Sequence, residues 1–131
     1  MLQERQQRQD NIILIADDDL LIRSMLKKSL GSYGDVTVLE DGTEVVDVYL
    51  KILPDILFLD IHLPGQSGFD ILDEILMFDQ DAYVVMLSSD SDKDNVLNTR
   101  KMGAKGFLAK PFTKEKLEES LWKCPTIVKK K

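Results

Sequence analysis

The stretch Ile56-Leu57-Phe58-Leu59-Asp60-Ile61-His62-Leu63-Pro64-Gly65 sets four consecutive apolar residues against a carboxylate and a Pro-Gly turn. An unbroken apolar run reads as a strand buried on both faces, as in the middle of a parallel sheet. Asp60 then stands at the strand's C-terminal end, the rim of an open α/β sheet where ligands bind. Outward from this stretch the same arrangement occurs twice more. Ile12-Ile13-Leu14-Ile15-Ala16 runs into Asp17-Asp18-Asp19, and Phe107-Leu108-Ala109 runs into Lys110-Pro111. Strands ending in acid, acid and lysine predict one compact polar site of mixed charge.

Between these strands the pattern turns helical. A strand over 11–16 leads to a helix near 19–31, where Ile22, Met25, Leu26 and Leu30 recur at helical spacing, Asp19 is the expected cap, and Gly31 and Gly34 provide the stop. Val36-Thr37-Val38-Leu39 suits an edge strand, and Asp41-Gly42-Thr43 caps a helix whose stripe is Val45, Val48, Tyr49 and Ile52. Ser67 is the expected N-cap of a helix over 68–78, with Leu72, Ile75 and Leu76 inward. Tyr83-Val84-Val85-Met86-Leu87 forms a fourth buried strand ending at Ser88-Ser89. The helix near 92–102 offers the core only Val96, Leu97 and Met102, so weak anchoring is expected there. The last helix runs from Thr113 to Lys123, with Leu117 and Leu121 inward, and Pro125 ends it. Five strands alternating with five helices predict a flavodoxin-like (βα)5 doubly wound parallel sheet with strand order 2-1-3-4-5. That order sets strands one and three side by side, bringing Asp17, Asp18 and Asp60 together.

With 131 residues, 44% apolar and 31% charged, the chain is expected to fold as one domain over 11–123. A polar lead-in over 1–10, disordered or loosely helical, precedes it, and a basic tail over 124–131 follows. A lone Cys124 forms no internal disulfide, no apolar run reaches membrane-spanning length, and no signal peptide is visible, so a cytoplasmic protein without membrane contact is expected. The net charge of −6 speaks against nucleic acid as a partner. Trp122 is either a cap on the core or a partner anchor.

Three close carboxylates need compensation. At about 4 Å and an effective dielectric near 20, each like-charge pair costs about 4 kcal/mol, so the cluster must hold protons or bind a cation. Hard oxygen ligands suit Mg²⁺, which takes one or two carboxylates plus a phosphoryl oxygen. Lys110 suits the same phosphoryl group as a point charge, and Ser88 adds a hydroxyl. Together they describe phosphoryl transfer to or from a carboxylate.

Asp17-Asp18, the Asp60 loop through Gly65-Gln66-Ser67-Gly68, Ser88, and Lys110-Pro111-Phe112 stand in the order and spacing of a known family. The chain resembles the receiver domains of two-component response regulators over residues 11–123. The resemblance implies that Asp60 is the phospho-acceptor, taking phosphate from a histidine kinase or a histidine phosphotransfer protein. It implies that Asp18, Asp60 and the main-chain carbonyl of His62 bind Mg²⁺ directly, with Asp17 acting through water. Lys110 would contact the phosphoryl group, Ser88 would hydrogen-bond to it, and Phe107 would occupy the aromatic switch position. The Lys110-Pro111 peptide would be cis. The implied output is a downstream protein bound on residues 90–123, with no effector domain following and only self-phosphorylation and self-dephosphorylation as chemistry.

The chain departs from the family at Phe107, where many relatives carry Tyr, and at Gln66, where an apolar residue is common. His62 reads as a side chain at the edge of the site, and with Asp90 it is expected to control water access to the phosphoryl group. Two rival readings share parts of the pattern. A pseudo-receiver would use the same fold without taking up phosphate. Asp17-x-Asp19 also resembles haloacid-dehalogenase-type phosphatases with Asp17 as nucleophile, but Leu21 stands at their usual Thr position and Asp60 would have no role.

Overall fold

Five strands, β1 (Ile12–Ala16), β2 (Asp35–Leu39), β3 (Ile56–Asp60), β4 (Val84–Ser88) and β5 (Gly106–Ala109), form one sheet in the order β2-β1-β3-β4-β5. Every neighbouring pair is parallel. The computed structural model describes residues 2–89 and 93–128. The helices are α1 (Leu2–Gln7), α2 (Leu20–Leu30), α3 (Val45–Ile52), α4 (Gly68–Phe78), α5 (Lys93–Met102) and α6 (Lys114–Trp122). The expected order 2-1-3-4-5 and doubly wound flavodoxin-like architecture are what the chain adopts.

The apolar runs divide by alternation, because successive strand side chains point to opposite faces. Leu14, Leu57, Leu59 and Met86 pack against Val45, Tyr49, Ile71, Leu72 and Ile75 of α3 and α4. Ile13, Ile15, Phe58, Val85 and Leu87 pack on the other face against Leu26 and Leu30 of α2 and Leu117 and Leu121 of α6. All of β3 and β4 is buried, and both strands are apolar up to their polar last residues, Asp60 and Ser88.

Caps fall largely where the sequence places them. Asp19 Oδ1 accepts from the Leu21 and Ile22 N–H groups, Ser67 Oγ from Asp70 N–H, and Thr113 Oγ1 from Lys116 N–H. Gly31 is not a left-handed stop: its φ is −61°, within the helical range. The left-handed terminus belongs to Leu53 after α3, whose N–H donates to Tyr49 O. On α5, Leu97 is 51% exposed and Thr99 is buried in its place. The inward face of α5 follows Val96, Thr99 and Met102 at spacings of three, which turns Leu97 outward; Thr99 tolerates burial because its hydroxyl donates to Val96 O.

The two ends differ most from expectation. The lead-in is helical over 2–7 and anchored by Arg5, which is buried. Its guanidinium donates to Pro54 O (2.7 Å), Tyr49 Oη (2.7 Å) and Asp79 Oδ2 (2.5 Å). At the other end Cys124 and Ile127 join the sheet core, and Asn11 exchanges hydrogen bonds with both main-chain groups of Val128. Residues 124–128 are therefore packed rather than a solvated tail, while Lys129, Lys130 and Lys131 lie outside the described residues. Trp122 caps the core, edge-on to Tyr33 with ring centroids 5.3 Å apart.

Candidate functional site

Parallel strands in register bring their C-terminal ends to one edge. Ala16 pairs with Leu59, Asp60 with Leu87 and Ser88 with Ala109, so the residues at or just past these ends, Asp17, Asp60, Ser88 and Lys110, share one rim. Carboxylate oxygens of Asp17, Asp18 and Asp60 lie within 4.8 Å of one another. Asp17, Asp60 and Ser88 are buried and Asp18 is exposed. Lys110 Nζ reaches into the cluster, 2.7 Å from Asp17 Oδ2 and 3.1 Å from Asp60 Oδ2. The Asp17 contact is an ion pair off hydrogen-bond alignment, whereas the Asp60 contact is an aligned hydrogen bond. The Lys110–Pro111 peptide is cis.

The site's electrostatics are those of a surplus of acid. Burial raises the Asp17 carboxyl above its ordinary value and the neighbouring Asp60 adds to this, outweighing Lys110 and the Asp19 N–H. Burial alone would lower the Lys110 ammonium, but Asp17 and then Asp60 hold it above its ordinary value. One ammonium thus faces three carboxylates, a charge balance that favours a cation.

The loop after Asp60 is built tightly. His62 N–H donates to Asp60 Oδ1 (3.1 Å), fixing the turn, and the His62 side chain is exposed at its edge. Gly68 lets α4 start against the strand end, since a Cβ there would come 2.4 Å from Asp60 O. Gly65 turns at a φ of +87° over Asp41 and Thr43. Gln66, at the position where the family often carries an apolar residue, donates to Glu74 Oε1 on α4. Asp90, the expected companion of His62, lies outside the described residues.

Phe107 is half-buried and lines a groove with Val96, Arg100, Pro111, Phe112 and Lys116. One contact at the rim has no counterpart in the sequence reading. Arg23 on α2 donates from Nη1 to the Asp17 main-chain carbonyl (3.1 Å) and pairs through Nη2 with Glu40 (3.4 Å). Its signal in the sequence is a cation in the first turn of a helix, six residues after Asp17.

Residues 13–121 match the family described as the response regulator receiver domain. The chain belongs to that family. This receiver domain is 35% identical over 113 residues to a chemotaxis protein CheY of Listeria monocytogenes, covering 85% of this chain and 95% of the relative. Among solved structures, CheY4 of Vibrio cholerae aligns with a TM-score of 0.81 at 25% identity, covering 88% of this chain and 98% of that one. CheY in a CheX-CheY-BeF3-Mg²⁺ complex from Borrelia burgdorferi aligns with a TM-score of 0.80 at 30% identity, covering 86% and 87%. The receiver domain is a phospho-accepting module of two-component signalling, a switch in a relay. The match spans the stretch from Asp17 to Lys110. No helix among the described residues is long and apolar enough to cross a membrane.

Proposed function

We propose that this receiver domain is phosphorylated on Asp60 with Mg²⁺ and thereby switches a protein-binding surface on residues 90–123, acting in the cytoplasm. The observation that carries the reading is the convergence of Asp17, Asp18, Asp60 and Lys110 at one rim. The donor set fits Mg²⁺: hard carboxylate oxygens, one of them exposed, with a single ammonium against three acids. Asp18, Asp60 and the His62 carbonyl would hold the ion, Asp17 would act through water, and the ion supplies charge neutralisation of the phosphoryl oxygens.

The donor is a phosphohistidine of a histidine kinase or phosphotransfer protein, or a small acyl phosphate. An Asp60 carboxylate oxygen attacks phosphorus as the bond from phosphorus to the donor's imidazole nitrogen breaks. The leaving nitrogen keeps the electron pair, and the ring departs as neutral imidazole because the donor's other ring nitrogen carries a proton; the Asp60 carboxylate has none to give. Lys110 Nζ, already 3.1 Å from Asp60, transfers its contact to a phosphoryl oxygen. Ser88 turns its hydroxyl to another, and Phe107 fills the space that opens.

The test is incubation with acetyl phosphate, with and without Mg²⁺, read by intact mass. Wild type should gain one phosphoryl group only with Mg²⁺, and Asp60→Asn none. No gain from either acetyl phosphate or a phosphohistidine donor would favour a pseudo-receiver. A gain that survives Asp60→Asn would move the nucleophile to Asp17.

A further inference from the structure

We propose that Arg23 is a positioning residue for the cation site, an inference that rests on the reading of the Asp17–Asp18–Asp60 cluster as that site. Arg23 breaks a local rule of helix electrostatics. Cations are disfavoured in the first turn of a helix, where the macrodipole is positive; the acid that complements this end of α2 is the N-cap Asp19, and its first turn holds none. Helical side chains lean back toward the N-terminus, however, and this one reaches the loop before its own helix. There Nη1 meets the Asp17 carbonyl and Nη2 meets Glu40, just past the end of β2.

The carbonyl contact completes the fixing of Asp17. Its N–H donates to Leu39 O (3.0 Å), its Oδ1 accepts from Asp19 N–H (2.8 Å), and its Oδ2 faces Lys110. The Asp17 carbonyl lies in the peptide plane that joins Asp17 to Asp18. Holding that plane sets where the Asp18 side chain leaves the backbone. Asp18 is the exposed member of the cluster, so its aim depends on the backbone beneath it. Arg23, largely buried at 16% side-chain exposure, is thus placed to act on the cation through Asp18 without touching the ion.

Isothermal titration with MgCl2 on the full chain tests this, using wild type, Asp18→Asn, Arg23→Ala and Arg23→Lys. Losing an outer partner of a metal ligand typically weakens affinity about tenfold, and Arg23→Ala should show a loss of that size. Arg23→Lys keeps a donor that reaches the carbonyl but loses the arm to Glu40, and should lose about threefold. Phosphorylation by acetyl phosphate should slow at limiting Mg²⁺ and recover at saturating Mg²⁺ in both variants. A wild type that binds no Mg²⁺ overturns the cation reading and the role of Arg23 with it. If Asp18→Asn loses affinity while Arg23→Ala matches wild type, the Arg23 assignment alone falls. Arg23→Lys as weak as Arg23→Ala, or a rate deficit that saturating Mg²⁺ does not repair, also overturns it.

Discussion

Asp17 shows how the site is held against the fold's own preference. Its carboxyl is raised above the ordinary value mainly by burial, although Lys110 lies 2.7 Å away. An acid whose folded pKa exceeds its unfolded one binds its proton more tightly when folded. Its charge therefore costs stability as pH rises from about 3.8 through the folded value. Asp17→Asn should accordingly raise the urea midpoint at pH 7 without Mg²⁺. Mg²⁺ should stabilise wild type more than the variant, because a ligand that binds only the folded state adds its binding energy to stability. An Asp17→Asn midpoint at or below wild type would show that Lys110 already compensates the charge in full.

At the scale of elements, legibility tracked the distance over which a contact is made. The strand ends carrying Asp17, Asp60, Ser88 and Lys110 could be read because each stands beside its own apolar run, and Ser67 and Thr113 because a cap acts three residues away. Helix α1 was legible only as one of two options, disordered or loosely helical, and its anchoring not at all. Arg5 sits in a Gln- and Arg-rich stretch without periodicity, and its partner Asp79 lies 74 residues on. Burial pushes the Asp79 carboxyl up, but Arg5 and the Tyr49 hydroxyl outweigh it and hold it below its ordinary value. Asp79 thus contributes stability that is present above pH 3.8 and lost as pH falls through its folded value. Breaking a buried pair costs 3–5 kcal/mol, and Asp79 keeps Tyr49 Oη and the Asp81 N–H. Arg5→Ala should therefore cost about 3 kcal/mol in urea unfolding, and its midpoint should fall less steeply than wild type below pH 4. A loss under about 1 kcal/mol would mark the pair as no stronger than a surface one.

Across the whole molecule, the question is how a phosphoryl group at one rim reaches a groove on the far side of β5. The path is short. Lys110 N–H donates to the Ser88 carbonyl (2.8 Å), so two groups expected to engage the phosphoryl oxygens are already joined through the main chain. Two positions back on β4, Met86 pairs with Phe107, which lines the groove between α5 and α6. Hydrogen bonds to charged groups contribute about 1.5–3 kcal/mol each; Lys110 exchanges one such contact for another, so the new Ser88 bond is the main gain. At about 1.4 kcal/mol per factor of ten, one such bond shifts a two-state equilibrium by about ten- to a hundredfold. Helix α5 is suited to respond, with a polar sequence and Leu97 turned to solvent. Adding beryllofluoride and Mg²⁺ should move amide NMR signals across 93–123 as well as in the loop after Asp60. Phe107→Ala should keep the loop changes and lose most of those on α5 and α6 if, as proposed, the ring is the part that moves between them. Changes confined to residues 61–67 in wild type would leave the site without a route to the groove, and the output surface would then have to be sought on another face.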